Sequence, residues 1–139
     1  MASDDVIRKI LNQTRTIALV GWSPKPDRPS HGVAAFLARS GYRVIPVNPG
    51  QGGVVTLWGE VVRNTLAEID AQIDMIDIFR RSDAVPEVVD DALRHLPGLK
   101  TVWMQLGVVH EGAAARARAA GLTVVMDRCP AIEIARLLG

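Results

Sequence analysis

Apolar positions along the chain follow two rhythms in turn. Val6, Ile7, Ile10 and Leu11 recur at helical spacing and predict an amphipathic helix over the first dozen residues. A continuous apolar run, TIALVG (16–21), then reads as a strand buried on both faces. GVAAFLARSG (32–41) reads as a helix closed by Gly41. The alternation continues with strand YRVIPVNP (42–49), strand IDMIDIF (73–79) and helix DAVPEVVDDALRHL, for which Ser82 is the expected N-cap and Pro86 belongs to the first turn. Strand KTVWMQL (100–106), helix EGAAARARAAG (111–121), strand LTVVMD (122–127) and helix CPAIEIARLL complete it, the last with Pro130 at its first position. The Gly-bounded, Val-rich stretch GGVVTLWGEVV predicts one more short strand near 54–57.

Strands that are apolar throughout, separated by helices, require a parallel sheet covered on both faces. The expected fold is therefore α/β, a doubly wound sandwich of one domain over 1–139, with a mainly parallel sheet of about five to six strands.

Composition narrows the function rather than the fold. A chain of 139 residues, 48% hydrophobic and 22% charged, is that of a soluble globular domain. No stretch approaches the ~20 apolar residues of a membrane span. The start, MASDDVIRKILNQT, places acids before bases and has no apolar signal core, so a cytoplasmic protein without an export signal is expected. The one cysteine, Cys129, allows no internal disulfide and fits a reducing compartment. A net charge of +1 gives no broad footprint for nucleic acid, so any basic site must be local. His31, His95 and His110 lack metal-ligand spacing, and no metal is expected.

The residues that a core does not explain collect at strand ends. VGWSPKPDRPSHG (20–32) packs Pro24, Pro26 and Pro29 with Lys25 and Arg28 into one crossover. Asn48-Pro49, Phe79-Arg80-Arg81 and Gln105-Leu106-Gly107 follow three other strands. In doubly wound sheets ligands bind outside the carboxyl ends of the strands, where strand order reverses. Aromatic, amide and arginine side chains gathered there point to an anionic, partly planar ligand such as a nucleotide. A helix N-terminus favours phosphate through its free N–H groups, and Arg adds a planar two-pronged donor. The dinucleotide fingerprint is absent: Gly21 supplies its first position, but Ser23 and Pro26 stand at the later ones. The acid that grips a ribose at the end of the second strand is replaced by Asn48, which counts against an ordinary nicotinamide enzyme.

GWSPKPDRPSHGVAAFL, YRVIPVNP, IDIFRRSDAVPEVV, VWMQLGVVHE and VVMDRCPAIEI together resemble the small stand-alone CoA-binding proteins, which are similar to the N-terminal CoA-binding domain of the succinyl-CoA synthetase alpha subunit. The likeness runs from about Ile17 to Leu138. It implies a Rossmann-like fold that binds coenzyme A, or an acyl-CoA, at the strand ends. Carried over, it implies that Gly21, Trp22, Ser23, Arg28 and Ser30 face the CoA phosphates and that Asn48 and Pro49 lie beside the nucleotide half. Phe79, Arg80 and Arg81 would line the adenine and ribose-phosphate side, and Gln105 and Gly107 would lie toward the pantetheine arm. The synthetase also needs a domain carrying a phosphorylated histidine, for which 139 residues leave no room, so the likeness carries binding and not ligation.

Each of these residues also has a plainer reading. Arg28 can be a solvated loop cation, although three prolines stiffen its surroundings and favour a preorganised phosphate contact. Arg80 and Arg81 can open a helix in solvent, but cations oppose the macrodipole there and ask for an anion nearby. Phe79 can be core or adenine wall, and Asn48 turn chemistry or ligand contact. Trp58 and Trp103 read as packing, His31 as a surface residue, and Arg116 and Arg118 as a solvated helix face. Asp127 reads as an ion-pair partner of Arg128. Cys129 begins a helix beside Arg128, which fits either an activated thiol that exchanges with CoA or a small buried cysteine. No catalytic constellation emerges. A nicotinamide-dependent oxidoreductase and an interaction module without a ligand remain as rivals.

Overall fold

The computed structural model describes residues 2–139. Helix α1 (Asp4–Gln13) precedes strand β1 (Thr16–Val20), helix α2 (Pro29–Arg39) and strand β2 (Arg43–Val47). Strand β3 (Met75–Ile78), helix α3 (Val85–His95), strand β4 (Thr101–Met104), helix α4 (Glu111–Ala119), strand β5 (Thr123–Val125) and helix α5 (Pro130–Leu137) follow. No helix of the described residues is long and apolar enough to cross a membrane.

All five strands are parallel, in the order β2-β1-β3-β4-β5. The order reverses between β1 and β3. The crossover through α2 therefore lies on one face, with α1 and α5, and those through α3 and α4 lie on the other. Side chains alternate accordingly. Ile17, Leu19, Val44, Met75 and Trp103 pack toward α1, α2 and α5, whereas Ala18, Ile45, Ile76, Ile78, Val102 and Met104 pack toward α3 and α4. This is the doubly wound, Rossmann-like sandwich.

The stretch near 54–57 is not a strand. It forms an arm beside β2, in which Val62 donates its N–H to the Val54 carbonyl at 2.8 Å and Thr56 donates to Glu60 at 2.8 Å. Only isolated bridges, Val55 with Val61 and Val47 with Arg63, form there. The chain reverses at Thr56–Gly59 before a ladder can extend, and the Trp58 indole N–H ties the arm to the Val44 carbonyl at 2.9 Å. Helix α2 starts at Pro29 rather than Gly32, because Pro29 fits the first helical position, where no N–H is needed.

Ser82 does not cap α3. A 3-10 turn, Ser82–Ala84, comes first, and the Ser82 hydroxyl instead accepts the Val109 N–H at 3.0 Å across the loop after β4. The last strand stops at Val125, ahead of Asp127 with its φ of 59°. Asp127 is not the partner of Arg128. Its Oδ1 accepts the Gly107 N–H at 2.7 Å, while Arg128 pairs with the buried Glu133 at 2.7 Å. Arg136 completes that group, bonding Glu133 at 2.8 Å and Asp4 at 2.7 Å, which fastens α5 to α1. The Arg136 and Arg128 guanidiniums hold the Glu133 carboxyl below its usual range, against the effect of burial.

Candidate functional site

The carboxyl ends of β1 and β3 meet where the strand order reverses, and Gly21 is what lets them meet. Its φ is +91°, and a Cβ built there would lie 2.2 Å from the Phe79 carbonyl oxygen. Gly21 and Trp22 both donate their N–H groups to the Val47 carbonyl, at 2.9 and 3.2 Å. The ends of β1, β2 and β3 are thus locked together before the crossover departs.

The crossover is built by its own hydroxyls. The Ser23 N–H donates to Ser30 Oγ at 3.0 Å, and the Lys25 N–H donates to Ser23 Oγ at 3.1 Å. Arg28 donates its N–H to the Lys25 carbonyl at 3.1 Å and occupies the N-cap of α2. Ser30 is buried, so its side chain shapes the loop from beneath. Three prolines limit the remaining freedom. The result is a cavity of about 320 Å3 lined by Gly21, Ser23, Lys25, Arg28, Pro29, Ser30 and Phe79. Lys25 and Arg28 are exposed at its rim, and the start of α2 adds its partial positive charge.

A second cavity, of about 180 Å3, opens on the α3 side of the same strand ends. Val20, Val47, Leu66 and Val88 give it apolar walls, and Pro49, Asn64, Thr65, Arg80, Glu87 and Asp91 complete the lining. Asn64, Thr65, Glu87 and Asp91 escape sequence reasoning. Glu87 and Asp91 are four residues apart on one helix face, a spacing that signals a shared surface but not which loop it faces.

The structure separates the remaining sequence candidates from these two cavities. Trp22 is 3% exposed; its indole is in the core, stacked on His31 with ring centroids 5.7 Å apart, so only its main chain faces the strand ends. His31 is half-buried, and its Nδ1 lies 3.0 Å from the Ser23 carbonyl oxygen. Asn48 donates Nδ2–H to the Trp22 carbonyl at 2.5 Å. Arg81 is exposed and pairs with Asp83 at 3.4 Å. Gly107, with φ +80°, sits in the loop after β4, and Gln105 is 6% exposed with no partner for Oε1 among the described residues. Cys129 is also 6% exposed, at the N-cap of α5.

One buried acid stands out. Asp77 is fully buried in β3, level with Leu19 and Trp103, and neither carboxylate oxygen has a partner among the described residues. Burial raises its pKa well above the ordinary range. The Trp22 indole N–H, buried in the same layer, also has no partner among the described residues.

Residues 15–135 match the sequence profile described as a CoA binding domain. The uncharacterized protein YneT of Bacillus subtilis (strain 168) is 38% identical over 123 residues, which cover 88% of this chain and 87% of that one. Among solved structures, a hypothetical protein from Pyrococcus horikoshii OT3 is 37% identical with a TM-score of 0.90, over 99% of this chain and 94% of that one. A protein from Thermus thermophilus is 35% identical with a TM-score of 0.90, over 98% of this chain and 99% of that one. Sequence and backbone thus agree over almost the whole length, and the chain belongs to the CoA binding domain family.

Proposed function

We propose that the chain binds coenzyme A, free or acylated, across the carboxyl edge of the sheet at the β1/β3 reversal. The observation that carries this reading is the cavity beneath Lys25 and Arg28, rigid, cationic and placed on a helix start. It suits a pyrophosphate, which wants charge and N–H donors together. The apolar walls of the second cavity suit a purine, with Arg80 beside a ribose phosphate. The pantetheine arm then runs over Phe79 toward Gln105 and Gly107. Binding is the whole activity in this reading; the chain holds the cofactor and breaks no bond in it.

A second reading has one observation in its favour. Glu87 and Asp91 in the second cavity are carboxylates, and a carboxylate grips the ribose hydroxyls of nicotinamide dinucleotides. A thermal-shift panel of CoA, acetyl-CoA, succinyl-CoA, NADH, NADPH and ATP separates the two. A ligand at ~100 times its dissociation constant stabilises a fold by about 2.7 kcal/mol. A clear rise with CoA or an acyl-CoA and none with NADH is expected. A larger rise with NADH or NADPH assigns the site to a nicotinamide cofactor instead.

A further inference from the structure

The two edges of the sheet are treated differently. The outer side of β2 is occupied by the arm that follows it: Asn48 donates to the Arg63 carbonyl at 2.9 Å and Arg63 donates to the Pro46 carbonyl at 3.0 Å. Among the described residues, strand β5 pairs only with β4. The Thr123 N–H donates inward, to the Lys100 carbonyl at 3.0 Å. Strand residues alternate in direction, so the N–H and C=O of Val124 point outward from the sheet.

Beyond that edge lies a slot. A cavity of about 510 Å3 runs between Val6 of α1 on one face and Glu111 and Arg118 of α4 on the other, with Thr123 and Val124 at its base. A further cavity of about 180 Å3 continues it toward Val109 and Met126. Val6 and Val109 are 39% and 41% exposed on its rim. Residues of both helical layers thus flank the outward side of β5, leaving room there for one more strand.

We propose that a second copy of this chain fills the slot, its β5 adding antiparallel to this one across a two-fold axis to join the two sheets. The charges on α4 choose that occupant. Glu111 and Arg118 are seven residues apart, two turns of one helix face, and both line the slot. Neither is paired with another described residue. A two-fold axis between antiparallel α4 helices sets Glu111 against the partner subunit's Arg118, and Arg118 against the partner subunit's Glu111. The pairing is self-complementary, as an isologous interface requires. Ala115, exposed between the two charges, permits close approach of the helices. Because β5 has only three residues, its ladder is short, and the two ion pairs set the register. The proposal does not depend on the CoA reading: none of the residues that line the slot is one assigned to CoA.

Sedimentation equilibrium over a wide concentration range tests it, with thermal melts as the folding control. The wild-type chain is expected to reach twice its monomer mass. Glu111→Arg and Arg118→Glu, both at exposed positions, should each weaken association about tenfold or more. The double variant E111R/R118E should recover it. Val124→Pro removes the outward N–H without taking a bond from β4 and should also abolish the dimer. A wild-type chain that stays monomeric throughout overturns the proposal. So does a dimer indifferent to all three single changes, or a double variant that fails to recover.

Discussion

The Asn48 side-chain amide donates to the Trp22 carbonyl oxygen at 2.5 Å, so the residue that ends β2 holds the start of the crossover after β1. One amide N–H of Asn48 is thereby committed inside the protein. Asn48 works on the site by fixing the peptide between Trp22 and Ser23, and through it the loop that carries Lys25 and Arg28. Replacing it with Ala removes that bond at a cost of about 0.5–1.5 kcal/mol. Melting of Asn48→Ala should fall by a few degrees, and titration calorimetry should show weaker CoA binding. Unchanged melting and unchanged affinity would mean the bond positions nothing.

Arg28 is exposed at the N-cap of α2 and lines the cavity at the β1/β3 reversal. Arg28→Ala removes one charge-assisted contact to phosphate, worth on the order of 1.5–3 kcal/mol, or about 10- to 100-fold in affinity. The fold should be unaffected, because the guanidinium supports no other element. Calorimetry on both proteins decides it; equal affinities return Arg28 to the role of a solvated loop cation.

Asp77 is expected to lower stability at neutral pH. Its folded pKa is raised by burial, whereas the unfolded carboxyl titrates near ~3.9. Above that pH the unfolded chain releases its proton and the folded chain keeps its own, so stability falls as pH rises toward the folded pKa. Asp77→Asn, equal in size and never charged, should therefore melt higher than wild type at pH 7 and alike near pH 4. A melting difference that does not change with pH would show that Asp77 is ionised in the fold or paired.

The strands were legible because each is a continuous apolar run between polar breaks, and a parallel sheet buried on both faces demands that pattern. The same rule misread 54–57. Valines there are numerous, but Val55 and Leu57 are 65% and 93% exposed, and their arm is held by the Trp58 indole and the Thr56–Glu60 turn rather than by a ladder. Carboxyl ends were legible as the place for a ligand, since topology alone puts them on one edge. Which side chains face that edge was not. Trp22 and Gln105 stand beside the right strands, yet local backbone turns bury both, and Ser30 points beneath its loop. Asp127 stands next to Arg128 in sequence, yet its bond reaches twenty residues back to Gly107. Cys129 begins its helix as expected, and its burial favours packing over exchange with a cofactor thiol. Contacts between loops distant in sequence leave no periodic signature.

CoA binding at the carboxyl edge of the sheet can be followed through the backbone amides of a 15N-labelled sample while CoA is added. Perturbed signals are expected for Gly21 to Ser30, for Arg80 and for Gln105 to Gly107. Those of Lys9, Gln13 and Lys100, which line the cleft at the opposite, amino edge of the sheet, should stay unchanged. Perturbation confined to that amino edge, or no perturbation at saturating CoA, would rule out a CoA site at the carboxyl edge.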